Sequence, residues 1–313
     1  MKQALIDLIF DHLSYRQLCV LYPLYLRIRK GTVYQKMVTY LEQSSNEEIR
    51  KLLPSIKQAG YLKFFYGDWT IPYETGRYPI DLRRGEDGFY IRHKLYDGRT
   101  EDLYMPHRKG AGNCKLYYQT LLLDQDMASP HRYLTEDNFQ RIRTLRGTVL
   151  DLGAAEGNFS LEMTKITDHI ICFEPDGRMQ AALRKTLKNA PNVTIVDKLV
   201  GETTDSANNT VSIDDYFGDA IPEDISVIKM DIEGYEQATL RGMRRTLKKN
   251  PQAILLICAY HQQQAEKEIC EILQPLGYEI HPRKGYMFFH EFVPFEAPYY
   301  RRGVLEARMA DQW

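Results

Sequence analysis

The stretch Thr148–Ser160, TVLDLGAAEGNFS, decides the fold because it joins a buried strand, a glycine turn and the start of a helix without interruption. Its first residues are branched and apolar, as in a strand. Gly153 and Gly157 bracket a turn in which the backbone can approach a ligand closely, and Asn158 is placed to cap the following helix. In parallel sheets this layout binds nucleotide-like ligands. The stretch therefore predicts such a site.

The residues around this turn distinguish between two nucleotide-like ligands. The dinucleotide fingerprint G-x-G-x-x-G would place glycines where the chain has Ala155 and Asn158, so NAD fits poorly. Glu174 lies about 20 residues further on, at the end of the next strand, where a carboxylate accepts both hydroxyls of a ribose. S-adenosylmethionine and NAD both contain that ribose. Asp151 followed by two spaced glycines is typical of the loop in class I methyltransferases, and this favours S-adenosylmethionine.

Composition limits the partners of the protein. A hydrophobic fraction of 43% in 313 residues is enough for a large core. The 41 basic and 42 acidic side chains give a formal charge of -1, so the net charge of the protein does not favour binding to nucleic acids or anionic membranes. The five cysteines are far apart and contain no C-x-x-C pair, which is typical of a reducing compartment. No apolar run approaches the roughly 18 residues of a membrane span, so we expect a soluble, cytoplasmic protein.

The pattern along the chain predicts four segments. The N-terminal segment has an apolar helical stripe at Leu5, Ile9 and Leu13, and Ser45 with Glu48 predicts a capping box. The stripe needs a partner, which is either the main domain or a second copy of the chain in a homo-oligomer. The four segments are a helical extension (1–60), a small β-hairpin or cap region with a linker (61–128), the main domain (129–298) and a C-terminal tail (299–313).

The main domain alternates strands and helices, as a doubly wound parallel sheet requires. Before it, Asp97–Gly98 is a strong turn signal for a small antiparallel hairpin. The last two strands are joined through Arg283–Gly285 as a second hairpin, which makes the seventh strand antiparallel. We therefore predict an α/β fold with the Rossmann-like seven-stranded methyltransferase sheet and helices on both faces. The predicted strands are Val149–Leu152, Ile170–Phe173, Val193–Val196, Ile225–Met230, Ala253–Ala259, Tyr278–His281 and Tyr286–His290.

Four motifs carry a resemblance to a known family. DLGAAEGNF, FEPD, SIDDYF and VIKMDIEGYE resemble the motifs of FkbM-type S-adenosylmethionine-dependent methyltransferases, and the similarity covers roughly Ser129–His290. The last motif is the most specific of the four. The resemblance implies a class I fold, S-adenosylmethionine as cofactor, and O-methylation of a hydroxyl on a sugar, a glycan or a natural product.

The cofactor residues follow from the turn and from the ends of the first strands. Asp197, at the end of the third strand, is placed to meet the adenine amino group. The predicted cofactor-binding residues are Asp151, Gly153, Ala154, Glu156, Gly157, Asn158, Glu174, Pro175, Asp197 and Asp231.

The catalytic candidates lie at the ends of the fourth and fifth strands, because ligands bind beyond the carboxyl ends of parallel strands. Asp231 and His261 occupy these positions. Lys229 lies within an otherwise apolar strand, where burial is costly unless it pairs with Asp231 or a neighbouring carboxylate. We predict catalytic roles for all three residues.

Methyl transfer to an oxygen requires removal of a proton from a poorly acidic hydroxyl, and two routes are open. His261 or a carboxylate acts as general base, or a divalent cation such as Mg²⁺ lowers the pKa of the hydroxyl. The predicted ligands of such a cation are Asp231, Glu233 and His261. For the acceptor itself, a small molecule or glycan, His131, Arg132 and Glu233 are the predicted contacts.

Two other functions use the same residues. An NAD-dependent enzyme would use Glu174 but needs the missing glycines. A non-catalytic module would keep the nucleotide fold as a scaffold, with the helical extension and the aromatic hairpin as its binding surface. The intact turn, Glu174 and the polar strand ends favour the methyltransferase, because a scaffold has no need to keep them together.

Overall fold

The chain forms two compact units. One contains the described residues of Met1–Ile91, His107–Arg132 and Lys284–Arg301; the other contains Arg92–Pro106, Tyr133–Arg283 and Arg302–Trp313. The predicted stripe residues Leu5 and Ile9 lie outside the described residues. This structure, a computed structural model, describes residues 13–14, 16–17, 34–59, 65–66, 71–72, 79–106, 110–288 and 297–313.

A seven-stranded sheet forms the centre of the second unit, and only its strands are numbered here. Its order is β3-β2-β1-β4-β5-β7-β6. The five strands from β3 to β5 are parallel, and β7 is antiparallel to both β5 and β6. This confirms the predicted α/β class with the seven-stranded sheet. The strands are β1 (Thr148–Leu152), β2 (His169–Phe173), β3 (Val193–Val196), β4 (Ile225–Met230), β5 (Ile254–Cys258), β6 (Tyr278–Pro282) and β7 (Val304–Met309).

The strand order reverses at the pair β1 and β4, which creates the switch point of the sheet. From β1 the chain proceeds to β2 and β3 on one side, and it then returns to β4 and β5 on the other. Right-handed crossovers therefore place helices on both faces. Every residue of β1, β4 and β5 is buried, as expected for central strands covered on both sides. Within β4 and β1, Lys229 lies opposite Asp151.

The helices of this unit connect the strands. Glu136–Leu145 precedes β1 and begins with a capping box at Thr135, whose hydroxyl accepts from the Asn138 backbone N–H. Across the described residues, each helix is too short or too polar to span a bilayer. The remaining helices are Asn158–Met163, Gly177–Thr186, Ile213–Phe217, Glu236–Arg241, Arg244–Lys249 and Ala265–Leu273.

The seventh strand is not the one that the sequence pattern predicted. Met287–Phe288 pairs with Tyr300–Arg301 in the other unit, whereas β7 comes from the stretch predicted as a tail. β7 alternates apolar residues with Glu306 and Arg308, which look exposed in the sequence but are buried. Arg283 donates to Glu306 at 2.5 Å, and Arg308 binds Asp137 at 2.5 Å. Glu306 and Arg308 also pair with each other, so the charges on this covered strand are compensated, although Asp137 itself is exposed.

The first unit packs short helices against residues from the C-terminal region. Residues 34–43 are helical and are followed by Glu47–Arg50 and Leu53–Ala59. The cap of Glu47–Arg50 is Asn46 rather than the predicted Ser45, because the Asn46 side chain accepts from the backbone N–H groups of residues 48 and 49. The apolar cluster of this unit comprises Met37, Leu41, Ile49, Leu52, Ile56, Tyr286 and Tyr300.

The predicted small hairpin is present. Gly88–Lys94 and Thr100–Tyr104 are neighbours in a three-stranded sheet whose third member, Leu82–Gly85, runs antiparallel to the first. The turn contains Gly98, which adopts a positive φ and donates its N–H to Leu95 O at 2.9 Å. The Asp97–Gly98 signal therefore located the turn correctly.

Candidate active site

The aspartate at the end of β1 is held in a closed set of contacts. Asp151 is fully buried, and its Oδ2 accepts from Ser160 Oγ at 2.5 Å. Its other oxygen, Oδ1, lies 3.1 Å from Lys229 Nζ. Lys229 Nζ also donates to Gly153 O at 2.6 Å. The lysine therefore neutralises a buried carboxylate and ties the turn after β1 to β4.

The ion pair keeps Lys229 charged despite its burial. Burial lowers the pKa of Lys229, but the neighbouring carboxylates of Asp151 and Asp231 outweigh this effect and raise the pKa above its ordinary value. A permanently charged ammonium that is bonded to Asp151 and Gly153 O is a poor proton acceptor. These contacts hold Lys229 in place, and its predicted catalytic role stays a prediction.

Glu174 lies at the end of β2 and is fixed by two backbone donors. Its Oε2 accepts from the Ala155 N–H at 2.8 Å, and its Oε1 accepts from the Asp176 N–H at 2.8 Å. Burial raises the pKa of Glu174, while these hydrogen bonds oppose that change. A carboxylate has about four lone-pair positions, so each oxygen can still accept a further hydrogen bond. Glu174 is thus oriented and able to bind hydroxyl groups.

The two turn glycines pack closely against other parts of the protein. Gly153 has φ +78°, and a Cβ there would lie 2.0 Å from Asp231 O. Gly157 has φ +94°, and its Cβ would lie 2.8 Å from Leu183 Cδ1. The positive φ and the close packing of the protein favour glycine at both positions, and their contact with a cofactor stays a prediction.

The other predicted turn residues are arranged by backbone contacts. Gly157 is the N-cap of the helix that starts at Asn158, so Asn158 is the first helical residue and not the cap. Ala154 donates its N–H to Phe173 O at 3.1 Å, and both Ala154 and Glu156 are buried. Ala155 adopts an unusual φ of +48°, which directs its N–H to Glu174. The loop therefore reaches β2 through Ala155, a residue that the sequence did not single out.

Two predicted cofactor residues lie on the surface. Pro175 is exposed and is followed by Asp176, which caps the helix Gly177–Thr186 through the backbone N–H groups of Arg178 and Met179. Asp197 is exposed directly after β3, and its backbone C=O accepts from Asn209 Nδ2 at 3.1 Å. The exposed Asp197 carboxylate is accessible to a ligand amino group.

Asp231 follows β4 and accepts hydrogen bonds from two tyrosines. Tyr133 donates its hydroxyl to Oδ2 at 2.6 Å, and Tyr260 donates to Oδ1 at 3.2 Å. Burial and the adjacent charge of Asp231 raise the pKa of Tyr133 well above its ordinary value, so Tyr133 stays a neutral donor. The Tyr133 C=O is itself anchored by Asn138 and Arg283 at 2.8 and 2.9 Å. Asp231 is therefore oriented by neutral groups.

His261 follows β5 and lies between carboxylates. Its Nδ1 is 2.9 Å from Glu236 Oε1, and both side chains are buried. Its Nε2 is 3.4 Å from Asp231 Oδ1 and 3.6 Å from Glu233 Oε2. Burial lowers the pKa of His261, but the hydrogen bond to Glu236 and the nearby carboxylates raise it by a larger amount. The pKa of His261 is therefore above its ordinary value. The structure thus brings Asp231 and His261 together, as predicted.

The predicted acceptor contacts fall in two places. Glu233 has a positive φ of +57° and a side chain that is 70% exposed, next to His261. His131 and Arg132 belong to the other compact unit, where His131 is buried and donates its backbone N–H to Ser129 Oγ. Their contact with an acceptor stays a prediction.

Comparison with known proteins identifies the domain. Residues 151–280 match the family model described as the methyltransferase FkbM domain. This segment is an FkbM-type methyltransferase domain. The match contains Glu174, Asp231 and His261, whereas Tyr133 and β7 lie outside it. No match was found among the curated proteins.

Solved structures similar to this chain include three methyltransferases or methylases. The methyltransferase FkbM from Methylobacillus flagellatus KT is 18% identical, with a TM-score of 0.41, over 90% of this chain and 59% of that one. The present chain therefore spans 59% of the length of that protein. A putative methyltransferase from Streptococcus mutans in complex with SAH is 12% identical, with a TM-score of 0.35, over 55% of this chain and 95% of that one. An rRNA methylase from Streptococcus thermophilus is 12% identical, with a TM-score of 0.37, over 55% of this chain and 92% of that one.

The predicted cation ligands of the methyltransferase domain differ in one residue from the group that the structure brings together. Asp231, Glu236 and His261 each offer a ligand atom, and these atoms lie within 4.8 Å of one another. Glu236 takes the place of Glu233 in this group. Divalent cation binding stays a prediction.

A separate cavity of the methyltransferase domain has a volume of about 240 Å³ and contains none of the predicted site residues. Thr164 and Thr186, at the C-terminal ends of two helices, belong to its lining. Helices in a βαβ unit end at the amino edge of the following strand, so this cavity lies opposite the carboxyl ends where Asp231 and His261 are located.

Sequence reasoning did not assign roles to several polar residues of the methyltransferase domain. Ser160 supports Asp151, and Glu236 supports His261. Tyr133 and Tyr260 both contact Asp231. The only sequence signal for them was position: Tyr260 ends an apolar run, and Glu236 follows Asp231 in DIEGYE.

Proposed function

We propose that the protein is an S-adenosylmethionine-dependent O-methyltransferase that acts on a hydroxyl of a sugar, a glycan or a natural product. The observation that carries this proposal is Glu174, a carboxylate at the end of β2 that is tied to the loop after β1 at the switch point of an FkbM-type domain. The acceptor class rests on the family resemblance.

The residues at the switch point fit S-adenosylmethionine. Glu174 is held by two backbone N–H groups and keeps lone pairs for the two ribose hydroxyls. Asp197 follows the neighbouring strand β3, where its exposed carboxylate would meet the adenine amino group. We propose that Asp151 and Lys229 stabilise the conformation of the loop after β1, because their charged groups pair with each other.

The charge balance supports a cationic ligand. Near the carboxyl ends of β1, β2 and β4 lie the carboxylates of Asp151, Glu174, Asp231 and Glu236, with Lys229 as the permanent cation among them. An excess of negative charge favours a sulfonium and disfavours the pyrophosphate of NAD. This adds to the missing glycines as an argument against an NAD-dependent enzyme.

The ends of β4 and β5 supply groups for the acceptor. S-adenosylmethionine, held through Glu174, would supply an activated methyl group for transfer to the acceptor oxygen and would leave as S-adenosylhomocysteine. Asp231, oriented by Tyr133 and Tyr260, accepts the hydrogen bond that positions the acceptor. His261 Nε2 accepts the hydroxyl proton and later releases it to water.

A calorimetric titration with S-adenosylhomocysteine tests the cofactor assignment. We expect the wild type to bind it and Glu174→Gln to bind about 10- to 100-fold more weakly, because a hydrogen bond to a charged group contributes roughly 1.5–3 kcal/mol. Glu279→Gln, which changes an exposed carboxylate on β6, is the matched control and should bind like the wild type. Absence of binding to the folded wild type, or binding of NADH instead, contradicts the proposal.

Transfer of tritiated methyl groups to a panel of hydroxylated sugars and natural products then tests the activity. We expect at least one acceptor to be labelled, with the label on oxygen. Reactions with and without a chelator test the predicted Mg²⁺. A protein that binds the cofactor but labels none of the panel would favour the non-catalytic scaffold.

A further inference from the structure

The side chain of Glu236 is fixed at both the turn after β4 and the end of β5. Its Oε1 accepts from the Ile232 backbone N–H at 3.1 Å and lies 2.9 Å from His261 Nδ1. Glu236 is fully buried, and the His261 side chain is 1% exposed. A buried carboxylate that is held by a backbone donor has little freedom to rotate. The imidazole that is bonded to it is therefore fixed as well.

The nature of this contact determines which ring nitrogen carries the proton. A carboxylate oxygen is an acceptor only, so a hydrogen bond at 2.9 Å requires the proton on Nδ1. In the neutral ring, Nε2 then has the free electron pair. Nε2 lies on the side of Asp231, at 3.4 Å from its Oδ1. The basic nitrogen thus faces the group that we assign to acceptor binding.

We propose that Glu236 is a positioning residue that keeps the proton of His261 on Nδ1 and presents Nε2 as the base for the acceptor hydroxyl. This inference rests on the proposed function, in which His261 removes the hydroxyl proton. The O–H bond breaks, its proton moves to Nε2, and the electron pair remains on the acceptor oxygen. The Glu236 carboxylate then lies next to the imidazolium that forms and stabilises it.

The groups around His261 make Glu236 necessary for this role. Asp231 is a second carboxylate close to Nε2, at 3.4 Å, and it can accept a hydrogen bond from Nε2 when that nitrogen carries the proton. Without Glu236, the tautomer with the proton on Nε2 would donate to Asp231, and its basic nitrogen would face away from the acceptor. Glu233 also lies near Nε2 but is largely exposed, so it orients the ring weakly.

The tautomer of His261 can be measured without knowledge of the acceptor. Long-range ¹H–¹⁵N correlation spectra of the ¹⁵N-labelled protein, recorded above the pKa of the ring, show which nitrogen of each of the eight histidines is protonated. The His261 signals are assigned by their loss in His261→Gln. In the wild type we expect the proton on Nδ1. In Glu236→Gln and Glu236→Leu we expect most of the His261 population to carry it on Nε2.

The chain offers a matched control for this experiment. His281 Nε2 lies 3.1 Å from Glu279 Oε1 in an exposed pair on β6. Glu279→Gln should leave the His261 spectrum unchanged. A wild-type His261 with its proton on Nε2, or a tautomer that both Glu236 variants leave unchanged, overturns the inference.

Two further readouts separate positioning from other roles. Addition of MnCl₂ should leave the His261 signals sharp; selective broadening at stoichiometric Mn²⁺, lost in Asp231→Asn, would make Nε2 a cation ligand and overturn the inference. With an acceptor from the transfer screen, Glu236→Gln should lower kcat about 10- to 100-fold and leave S-adenosylhomocysteine affinity unchanged. A wild type that does not bind S-adenosylhomocysteine would contradict the proposed function, but the result on the His261 tautomer would remain valid.

Discussion

Asp151 and Asp231 lie near the carboxyl ends of the neighbouring strands β1 and β4, yet their surroundings differ. Asp151 is fully buried and paired with a permanent cation, Lys229, at 3.1 Å. Asp231 is about one-fifth exposed and is contacted by two neutral hydroxyls and a histidine. The first carboxylate is neutralised and serves the structure. The second has one neighbour that can change protonation near neutral pH, His261, and it remains partly exposed.

The largest expected effect comes from breaking the closed pair. Lys229→Met leaves Asp151 charged, buried and uncompensated, which should lower the free energy of unfolding by about 3–5 kcal/mol. Urea denaturation measures this change. Lys229→Met combined with Asp151→Asn should recover part of the loss because the lone charge is removed.

A partly exposed pair serves as the control for this prediction. Arg92 Nη1 lies 2.6 Å from Asp102 Oδ1, and both side chains are 35% exposed. Arg92→Met should cost less than about 1 kcal/mol, since solvent screens such pairs. Equal losses in Lys229→Met and Arg92→Met would show that the burial of the Asp151 pair has no special importance.

Asp231→Asn should lower turnover and leave the free energy of unfolding nearly unchanged, in contrast to Lys229→Met. The asparagine oxygen can still accept from Tyr133 and Tyr260, so we expect the free energy of unfolding to change by less than about 1 kcal/mol. Turnover should fall about 10- to 100-fold, because the acceptor loses a hydrogen bond to a charged group, which contributes roughly 1.5–3 kcal/mol. Tritium transfer and urea denaturation on the same preparation measure both quantities. A folded Asp231→Asn protein with wild-type turnover would remove Asp231 from the proposed site.

The smallest expected effect is a pH dependence of stability at His261. Its pKa in the folded protein is above the ordinary value of 6.5, since the hydrogen bond to Glu236 and the charges of Asp231 and Glu233 outweigh burial. A raised folded pKa contributes stability that is fully present below the unfolded pKa and is lost as pH rises through the folded pKa. The stability of the wild type relative to His261→Gln should therefore decline from about pH 6 upward.

Denaturation curves of both proteins at several pH values measure this decline. Lys229 and Tyr133, which lie close to Asp231, stay in one protonation state over this range because their pKa values are raised above their already high ordinary values. If the free energy of unfolding of the wild type relative to His261→Gln stays constant or grows with pH, the pKa of His261 is not raised in the folded protein.

Much of the sheet was predictable because its signals are local. The apolar runs of β1, β4 and β5 are continuous in the sequence, and the turn after β1 follows its strand directly. Glu174 could be located because the spacing within one βαβ unit is short and regular. The residues of the cofactor loop were therefore predictable by type, although the packing reason for Gly153 and Gly157 was not.

The remaining parts of the site depend on contacts between distant residues. Tyr133 meets Asp231 across 98 positions, and Glu236 meets His261 across 25. β7 was missed because Glu306 and Arg308 have the pattern of an exposed strand. In the fold these two side chains pair with each other and with Arg283 and Asp137, which lie far from them in the sequence.

The sequence by itself determined the α/β class, the strand ends at which the candidate residues lie, and the choice of Asp231 and His261 as candidates. These follow from hydrophobic periodicity and from the rule that parallel strands share one carboxyl edge. Only the tertiary structure decided which carboxylate Lys229 neutralises and which one holds the His261 ring. Hydrogen bonds and ion pairs depend on distances of a few tenths of an ångström between side chains from different strands, and residue order does not specify those distances.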